Sequence, residues 1–235
     1  MNFVIIATPM SEYKKIISKL NIFLKNNTLI TDVGSTRGNI AKLIKEKLSK
    51  KLNWIMSHPI TGSEVSGPLH GKKSLFENKF CIIVKDKNRI NLNKVISFWK
   101  KTGSRVILMN LKEHDKIFSI TSHLPHLIAY NLIKTAQDFQ KKYKKNIIQF
   151  SAGGLRDFSR IAASNEIMWR DIFFNNKKNM ILAINMFSKN LNSFKKNIQN
   201  SEDKDLRKKL LNSKKVRKQI VQLKQDIDKP DFGRE

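Results

Sequence analysis

The chain has 235 residues, of which 40% are hydrophobic and 28% are charged, and its formal net charge is +27. This composition is typical of a folded globular protein and excludes an intrinsically disordered one. The single cysteine, Cys81, excludes a disulfide framework within the chain and favours a reducing compartment, so we expect a cytoplasmic protein. No apolar stretch approaches the ~20 residues of a membrane-spanning helix, and we therefore expect no membrane partner.

The large positive charge raises the hypothesis of a nucleic-acid-binding protein, because clustered cations neutralise phosphates. The basic residues are mostly lysines, and they recur on every predicted helix. The aromatic residues lie in apolar runs and do not alternate with arginines as stacking platforms would. This distribution favours solvated basic surfaces, which would also steer anionic substrates toward the protein, so we predict no nucleic-acid partner.

The first half of the chain alternates short apolar runs with helical patterns, which predicts an α/β fold with a parallel sheet. Strands are predicted at 3–7, 28–33, 54–57, 80–84 and 106–109, and helices at 11–25, 38–50 and 91–102. After about residue 110 the pattern becomes helical, with helices predicted at 112–143, 155–162, 165–175, 176–199 and 202–227. We therefore expect an α/β domain over 1–110 and an all-helical domain over 111–235. Pro125 should kink the first long helix.

Two polar segments follow predicted strands in the α/β half. The first is a turn of small residues, Val33, Gly34 and Ser35, and the second begins at His58 and includes Glu64. Open α/β sheets bind ligands at the carboxyl ends of their strands. A histidine there can act as a general acid or base, and Glu64 could orient it. The alternatives are an ordinary strand-to-helix turn and an ordinary surface or core histidine.

Two further polar segments lie in the helical half. Ser122 and His126 are four residues apart and share a helix face. Two histidines without nearby acids make a weak metal signature, so we predict no metal. In the second segment, Gly153 permits close backbone approach, and Asp157 and Arg160 share a face three residues apart. An arginine in such a place can bind a carboxylate through its planar fork, although a structural Asp–Arg pair is the alternative.

Taken in order, these segments closely resemble the prephenate/arogenate dehydrogenase family of tyrosine biosynthesis. The resemblance covers about residues 3–200. The matching stretches are ATP at 7–9, DVGST at 32–36, HPITGSEVSG at 58–67, LFEN at 75–78, SHLPH at 122–126 and GGLRDFSRIAASNEIMWRDIF at 153–173.

The resemblance implies a Rossmann-like nucleotide-binding domain followed by a helical domain that binds substrate and forms a homodimer. It implies oxidation of a ring hydroxyl by NAD or NADP, with loss of the ring carboxylate as carbon dioxide. His58 would take the hydroxyl proton, and Ser35 would hydrogen-bond the same hydroxyl or the nicotinamide. Arg160 would bind a substrate carboxylate, and Ser122 and His126 would line the side-chain end of the pocket, with Gly153 allowing close approach. The resemblance gives Glu64, Asp157 and Trp169 supporting roles.

The same resemblance places the cofactor against Thr8, Pro9, Val33, Gly34 and Ser35. A family member also has a strand, a G-x-G-x-x-G turn and a helix that hold the pyrophosphate, and residues 1–235 contain no such turn. Met1 falls where the fourth strand of the family fold would begin. Three explanations compete for the preceding strands: they are encoded upstream of this Met or lie outside a fragment, they have been lost from a degraded gene, or another chain supplies them. In the case of a degraded gene, the chain would be a non-catalytic remnant of the enzyme.

Overall fold

The α/β part of the chain consists of two three-stranded sheets. The computed structural model of the protein describes residues 3–62, 69 and 71–223. The first sheet is parallel, in the order β1 (Phe3–Ile6), β2 (Leu29–Asp32) and β3 (Asn53–Ile55), and its strands are connected by α1 (Tyr13–Phe23) and α2 (Gly38–Lys47). The second sheet has the order β4 (Ser57–Pro59), β5 (Phe80–Val84) and β6 (Arg105–Met109), and α3 (Arg89–Lys101) connects β5 to β6. The predicted α/β class is confirmed.

Alternating side chains of the central strand β2 pack into two different hydrophobic cores. Ile30 packs with Tyr13 and Ile17 of α1, whereas Leu29 packs with Cys81 and Trp99 on the other side. Successive residues of a strand point to opposite faces, so a strand covered by helices on both faces is buried throughout, as all four residues of β2 are. The Cys81 thiol is free and buried, and burial raises its pKa to about 12.

One predicted strand, 54–57, is divided in the structure. The chain bends at Met56, so that β3 pairs with β2 in parallel while β4 pairs with β5 in antiparallel fashion. The prediction of one strand over 54–57 was therefore wrong, and the second of the two short strands has an antiparallel neighbour. A parallel neighbour requires a crossover, usually a helix, and the described residues between β4 and β5 contain none. The bend places His58 on its own short strand.

The helical part begins at α4 (Leu111–Phe118), which continues through a π-helical turn (Ser119–His123) into α5 (Leu124–Tyr143). Pro125 lies in the first turn of α5, where a missing N–H is tolerated, and the kink predicted there stays a prediction. A 3₁₀ turn (Ile148–Phe150) follows, and then come α6 (Gly153–Arg160), α7 (Glu166–Asn175), α8 (Lys177–Gln199) and α9 (Asp203–Gln222). Within 110–223 no strand is present.

The chain separates into two compact units, one ending at Ala183 and the other beginning at Ile184. In the second unit, Lys209 of α9 donates to the Ser193 hydroxyl of α8 at 2.6 Å and lies over the Phe194 ring. The domain boundary predicted near residue 110 falls at the start of α4, inside the first unit, and stays a prediction. Among the described residues, no helix is long and apolar enough to cross a membrane.

Candidate active site

Two strand ends lie side by side at one edge of the first sheet. β1 and β2 run parallel and in register to their last residues, so the segments that follow them are neighbours. Thr8 and Pro9 are exposed there, and Val33 and Ser35 are half-buried. Because open α/β sheets bind ligands at this edge, these four residues have the placement and accessibility to contact a small molecule.

A buried ion pair lies beneath this edge. Arg37 Nη2 lies 2.7 Å from Asp32 Oδ2, and neither side chain is exposed to solvent. Gly34 lies directly against the pair, since a Cβ at this position would come within 2.3 Å of Arg37 Nη2. The ion pair itself therefore requires glycine at position 34, and the predicted contact of Gly34 with a cofactor stays a prediction.

Two neutral side chains also donate hydrogen bonds to the Asp32 carboxylate. The Tyr13 hydroxyl donates to Oδ2 and the Trp54 indole N–H donates to Oδ1, each at 3.1 Å. Burial and the Asp32 charge together raise the pKa of Tyr13 far above its ordinary value. A buried charge is tolerated only when it is paired and hydrogen-bonded. This network therefore holds the end of β2 and the start of α2 in one arrangement beside Ser35.

His58 lies on β4 with 8% of its surface exposed. Its Nδ1 lies 2.8 Å from Nε2 of His114 on α4, and the Phe118 ring packs edge-on against it with centroids 4.9 Å apart. Burial, and then the nearby His114, Arg37 and His123, hold the pKa of His58 well below 6.5. His58 is therefore neutral at pH 7 and keeps a lone pair that can accept a proton, as a general base must.

Two polar residues on the buried face of α4 extend this chain of hydrogen bonds. His114 Nδ1 lies 2.9 Å from Asp115 Oδ1. The Asp115 carboxylate also accepts the backbone N–H groups of Arg37 and Gly38, each at 2.8 Å. Burial alone would raise the pKa of Asp115, but the hydrogen bonds from His114 and from these amides outweigh it and lower the pKa. The series His58, His114, Asp115 therefore ends in a carboxylate.

The motifs singled out in the sequence do not include His114 or Asp115. A sequence pattern does mark them, because they share with Leu111 and Phe118 the i, i+3, i+4, i+7 spacing of an apolar helix face. Polar residues on such a face are buried and need partners. What the pattern does not contain is the identity of those partners, which come from β4 and α2.

A second group of predicted site residues gathers on α5 and α7. The rings of His126 and Trp169 are stacked, with centroids 3.6 Å apart and an interplanar angle of 21°. His126 Nδ1 donates to the backbone oxygen of Ser122 at 3.0 Å, so the two residues predicted to share a face are in contact. Burial lowers the pKa of His126. In the part of the chain that the structure describes, no group of three histidine, cysteine or acidic residues could hold a metal ion.

Asn176 connects the two groups. Its Nδ2 donates to the backbone oxygen of Asp115 at 2.7 Å and lies 3.1 Å from Nδ1 of His123. The His123 ring lies 6.2 Å from the Trp169 ring. His58 and the stacked pair of His126 and Trp169 therefore belong to one continuous polar and aromatic network.

The remaining predicted residues lie on α6, which packs against α5. Gly153 begins the helix, and among the described atoms none lies within 4 Å of its Cβ position. Asp157 is half-buried and Arg160 is exposed. Glu64 lies outside the described residues.

A cleft of ≈530 Å³ opens between α2, α7 and the start of α8. It borders Asp115 and Asn176 but contains none of the predicted site residues. The cleft therefore differs from the predicted substrate pocket. Its lining residues are Gly38, Asn39, Asp115, Phe174, Asn175, Asn176, Lys177, Lys178, Asn179 and Ile181.

Comparison with known protein families gives two matches, one for each part of the chain. The family described as "Prephenate dehydrogenase, nucleotide-binding domain" matches residues 1–108, and the one described as "Prephenate dehydrogenase, dimerization domain" matches residues 110–212. These two matches cover the candidate site on the sheet and the candidate site on the helices.

Individual relatives agree with these matches. Cyclohexadienyl dehydrogenase of Zymomonas mobilis is 29% identical over 97% of this chain and 77% of its own length. Prephenate dehydrogenase of Bacillus subtilis is 34% identical over 76% of this chain, which spans only 48% of that protein. The crystal structure of prephenate dehydrogenase from Aquifex aeolicus, in complex with hydroxyphenyl propionate and NAD⁺, superposes with a TM-score of 0.87 at 33% identity, covering 93% of this chain and 76% of that one. The chain belongs to the prephenate dehydrogenase family.

Proposed function

We propose that the protein catalyses the NAD- or NADP-dependent oxidative decarboxylation of prephenate or arogenate, giving 4-hydroxyphenylpyruvate or tyrosine. The observation that carries this proposal is His58, a buried neutral histidine directly after the parallel sheet and joined to a carboxylate through His114. The Aquifex aeolicus relative was crystallised with NAD⁺ and a hydroxyphenyl acid, which supports both the cofactor and the ring substrate.

In the proposed reaction, His58 accepts the proton of the ring hydroxyl as the adjacent C–H bond breaks. The nicotinamide, when bound, supplies the chemistry of accepting that hydride. The ring carbon becomes a carbonyl carbon, conjugated with the two ring double bonds that adjoin the carbon bearing the carboxylate. The bond to the carboxylate then breaks, carbon dioxide leaves, and the electron pair of that bond completes the aromatic ring. The former carbonyl oxygen regains a proton and becomes the phenol.

The residues at the strand ends fit a nicotinamide cofactor. The exposed Thr8 and Pro9 and the half-buried Val33 and Ser35 share the edge of the sheet where such ligands bind. Their small side chains leave room for a flat ring, and the Ser35 hydroxyl can hydrogen-bond the carboxamide or the substrate hydroxyl. We propose these four residues, with Gly34, as the contacts of the cofactor's nicotinamide end.

The helical residues fit the acidic end of the substrate. Arg160 would bind a carboxylate through its planar fork, and Asp157 on the same helix would support it. Ser122 and the stacked His126 and Trp169 would line the pocket around the substrate side chain. Gly153 would let the substrate approach the α6 backbone. Glu64 would orient the loop that follows His58.

We also propose that the protein forms a homodimer through its helical part. Large apolar side chains on α8 and α9 are about half exposed, among them Met186, Leu191, Leu210 and Val216. An extended set of exposed apolar residues is typical of an interface, and the family matched at 110–212 is described as a dimerization domain. Light scattering should give twice the mass of the chain, and a monomer at micromolar concentration would contradict this part of the proposal.

The assay that tests the function measures nicotinamide reduction with prephenate and with arogenate, each with NAD and with NADP. We expect turnover with at least one pair and a loss of about 10²–10⁴-fold in kcat for His58→Asn, since general base catalysis contributes that much. Arg160→Gln should raise KM, while Arg89→Gln, at the exposed start of α3, should match the wild type. Turnover that survives His58→Asn would contradict the proposal.

Binding of hydroxyphenyl propionate, measured by calorimetry, tests the substrate side without any need for the cofactor. We expect the wild type and Arg89→Gln to bind the acid and Arg160→Gln to bind it at least about tenfold more weakly, as the loss of a charge-assisted hydrogen bond predicts. Equal affinity in all three proteins would remove Arg160 from the site.

A further inference from the structure

We propose that His114, held by Asp115, is a positioning residue that fixes His58 as the Nδ1–H tautomer. His58 Nε2 then carries the lone pair that accepts the substrate proton. This inference rests on the proposed function of His58 as the base. It adds which ring nitrogen reacts and which residues determine that choice.

Asp115, at the end of the series His58, His114, Asp115, determines which atom donates in each hydrogen bond. The ionised Asp115 carboxylate can only accept, so the proton between it and His114, 2.9 Å away, belongs to His114 Nδ1. A neutral His114 then has a bare Nε2. That nitrogen lies 2.8 Å from His58 Nδ1, so His58 Nδ1 must donate. The opposite order would place the lone pair of His114 Nδ1 against a carboxylate oxygen, which is repulsive.

The neutral state of His114 is consistent with its surroundings. The ring is fully buried, and burial lowers its pKa even though Asp115 acts in the opposite direction. Arg37, directly before α2, adds a nearby positive charge, while Asp32 on β2 adds a negative one. Around His58, the facing charged or titratable groups are His114, Arg37 and His123. Of these groups, His114 is the one whose side chain hydrogen-bonds the His58 ring.

The geometry also keeps both rings from reorienting. The Asp115 oxygens are occupied by the first amides of α2, so the carboxylate cannot rotate without losing two hydrogen bonds. The Phe118 ring packs against both imidazoles, at centroid distances of 4.9 Å to His58 and 4.6 Å to His114. The tautomer of a histidine is determined by the hydrogen bond that its other nitrogen makes. Here that bond joins His58 Nδ1 to His114 Nε2, and the contacts with Asp115 and Phe118 keep both rings in place for it.

The direct test is ¹⁵N NMR of the wild-type chain labelled at histidine, because two-bond ¹H–¹⁵N correlations identify each neutral tautomer. His58 and His114 are assigned by their loss from the spectra of His58→Asn and His114→Gln. We expect a protonated Nδ1 and a bare Nε2 for both residues at pH 7. A His58 protonated at Nε2, or a doubly protonated His114, would overturn the inference. This measurement needs neither substrate nor turnover.

The kinetic test compares two variants of His114. His114→Leu removes the acceptor for His58 Nδ1, and we expect kcat to fall about 100-fold with KM nearly unchanged. His114→Gln offers an amide oxygen as acceptor and should recover most of that loss. Equal impairment of both variants would indicate a merely structural role and contradict the inference. If the wild type shows the Nδ1–H tautomer but no turnover with prephenate or arogenate, the proposed function fails while the assigned tautomer stands.

Discussion

Gly34 is constrained by the side chain of Arg37, to which an added methyl group would come within 2.3 Å. That guanidinium cannot yield, because it is paired with the buried Asp32 carboxylate. Gly34→Ala should therefore lower the free energy of unfolding by about 2–3 kcal/mol, through overpacking and strain of the ion pair. Chemical denaturation followed by circular dichroism would measure the change.

Gly154→Ala provides the matched control for that substitution. Gly154 lies in the first turn of α6, and no described atom is within 4 Å of its Cβ position. Alanine has the higher helix propensity, so this variant should be neutral or slightly stabilising. Equal losses in the two alanine variants would refute the role assigned to Arg37.

The pH dependence of kcat/KM should report on His58. The proposed reaction needs the neutral ring, and the pKa of His58 is held well below 6.5. Activity should therefore stay constant as the pH falls through 6.5 and decline only well below it, as His58 becomes protonated. A decline centred at or above 6.5 in the wild-type profile would show that the ring titrates like an exposed histidine.

At the residue level, the sequence predicted candidate site residues where polar side chains follow strands or occupy distinctive motifs. His126 and Ser122 are in contact as their spacing predicted, and His58 directly follows the first sheet. Asp115 and His114 could not be assigned in the same way, because the partners that they bind on β4 and at the start of α2 are 56 to 78 residues away in the chain. Contacts of that kind depend on how α4 packs against β4 and α2, and local periodicity does not specify this packing.

The N-terminus of α2 shows that a helix can be capped by another helix. Arg37, at the N-cap position, provides no side-chain cap, and Asp115 of α4 accepts the N–H groups of Arg37 and Gly38 instead. Asp115→Ala would leave the amides of Arg37 and Gly38 and the ring of His114 without their acceptor, so it should cost about 3 kcal/mol in urea denaturation.

Asp138→Ala is the control for Asp115→Ala, because it also removes a helical aspartate. Asp138 lies on α5 and pairs with Lys134 one turn earlier, with both side chains more than half exposed. Exposed pairs at this spacing contribute about 0.3–0.5 kcal/mol. If Asp115→Ala proved as mild as Asp138→Ala, then Asp115 would not hold the α2 N-terminus.

Helices and strands themselves were predictable where one periodicity dominated. The fully buried β2 and the strongly apolar β5 occur where continuous apolar runs predicted strands. The division at Met56 was not predictable, since the run that contains it has the composition of a single strand. The bend follows from the pairing of β4 with β5, and the sequence of a strand does not by itself specify its pairing partner.

Over the whole molecule, buried neutral histidines should make the fold sensitive to acid. The pKa values of His58, His114 and His123 are all lowered, that of His123 from 6.5 to about 4. Between pH 6.5 and about pH 4, His123 binds more protons in the unfolded chain than in the folded one. The free energy of unfolding must therefore fall as the pH decreases through this range. For His123 alone the loss at pH 5 is about 2 kcal/mol relative to pH 7.

Thermal unfolding measured from pH 8 to pH 4.5 would test this dependence. We expect a plateau above pH 7 and a progressive decrease in the midpoint below 6.5. The variant His123→Gln should show a shallower decrease, because one titrating group is gone. A wild-type midpoint that does not change down to pH 5 would mean that these histidines are not buried in their neutral form.

Oxidative decarboxylation requires that one carbon dioxide leaves for each hydride transferred. The most direct measurement therefore supplies prephenate labelled in its ring carboxylate, with arogenate as the alternative substrate. It counts released labelled carbon dioxide against reduced nicotinamide. We predict a ratio of one to one, with both quantities lost together in His58→Asn. Reduction of the nicotinamide without carbon dioxide release, or release without reduction, would contradict the proposed function.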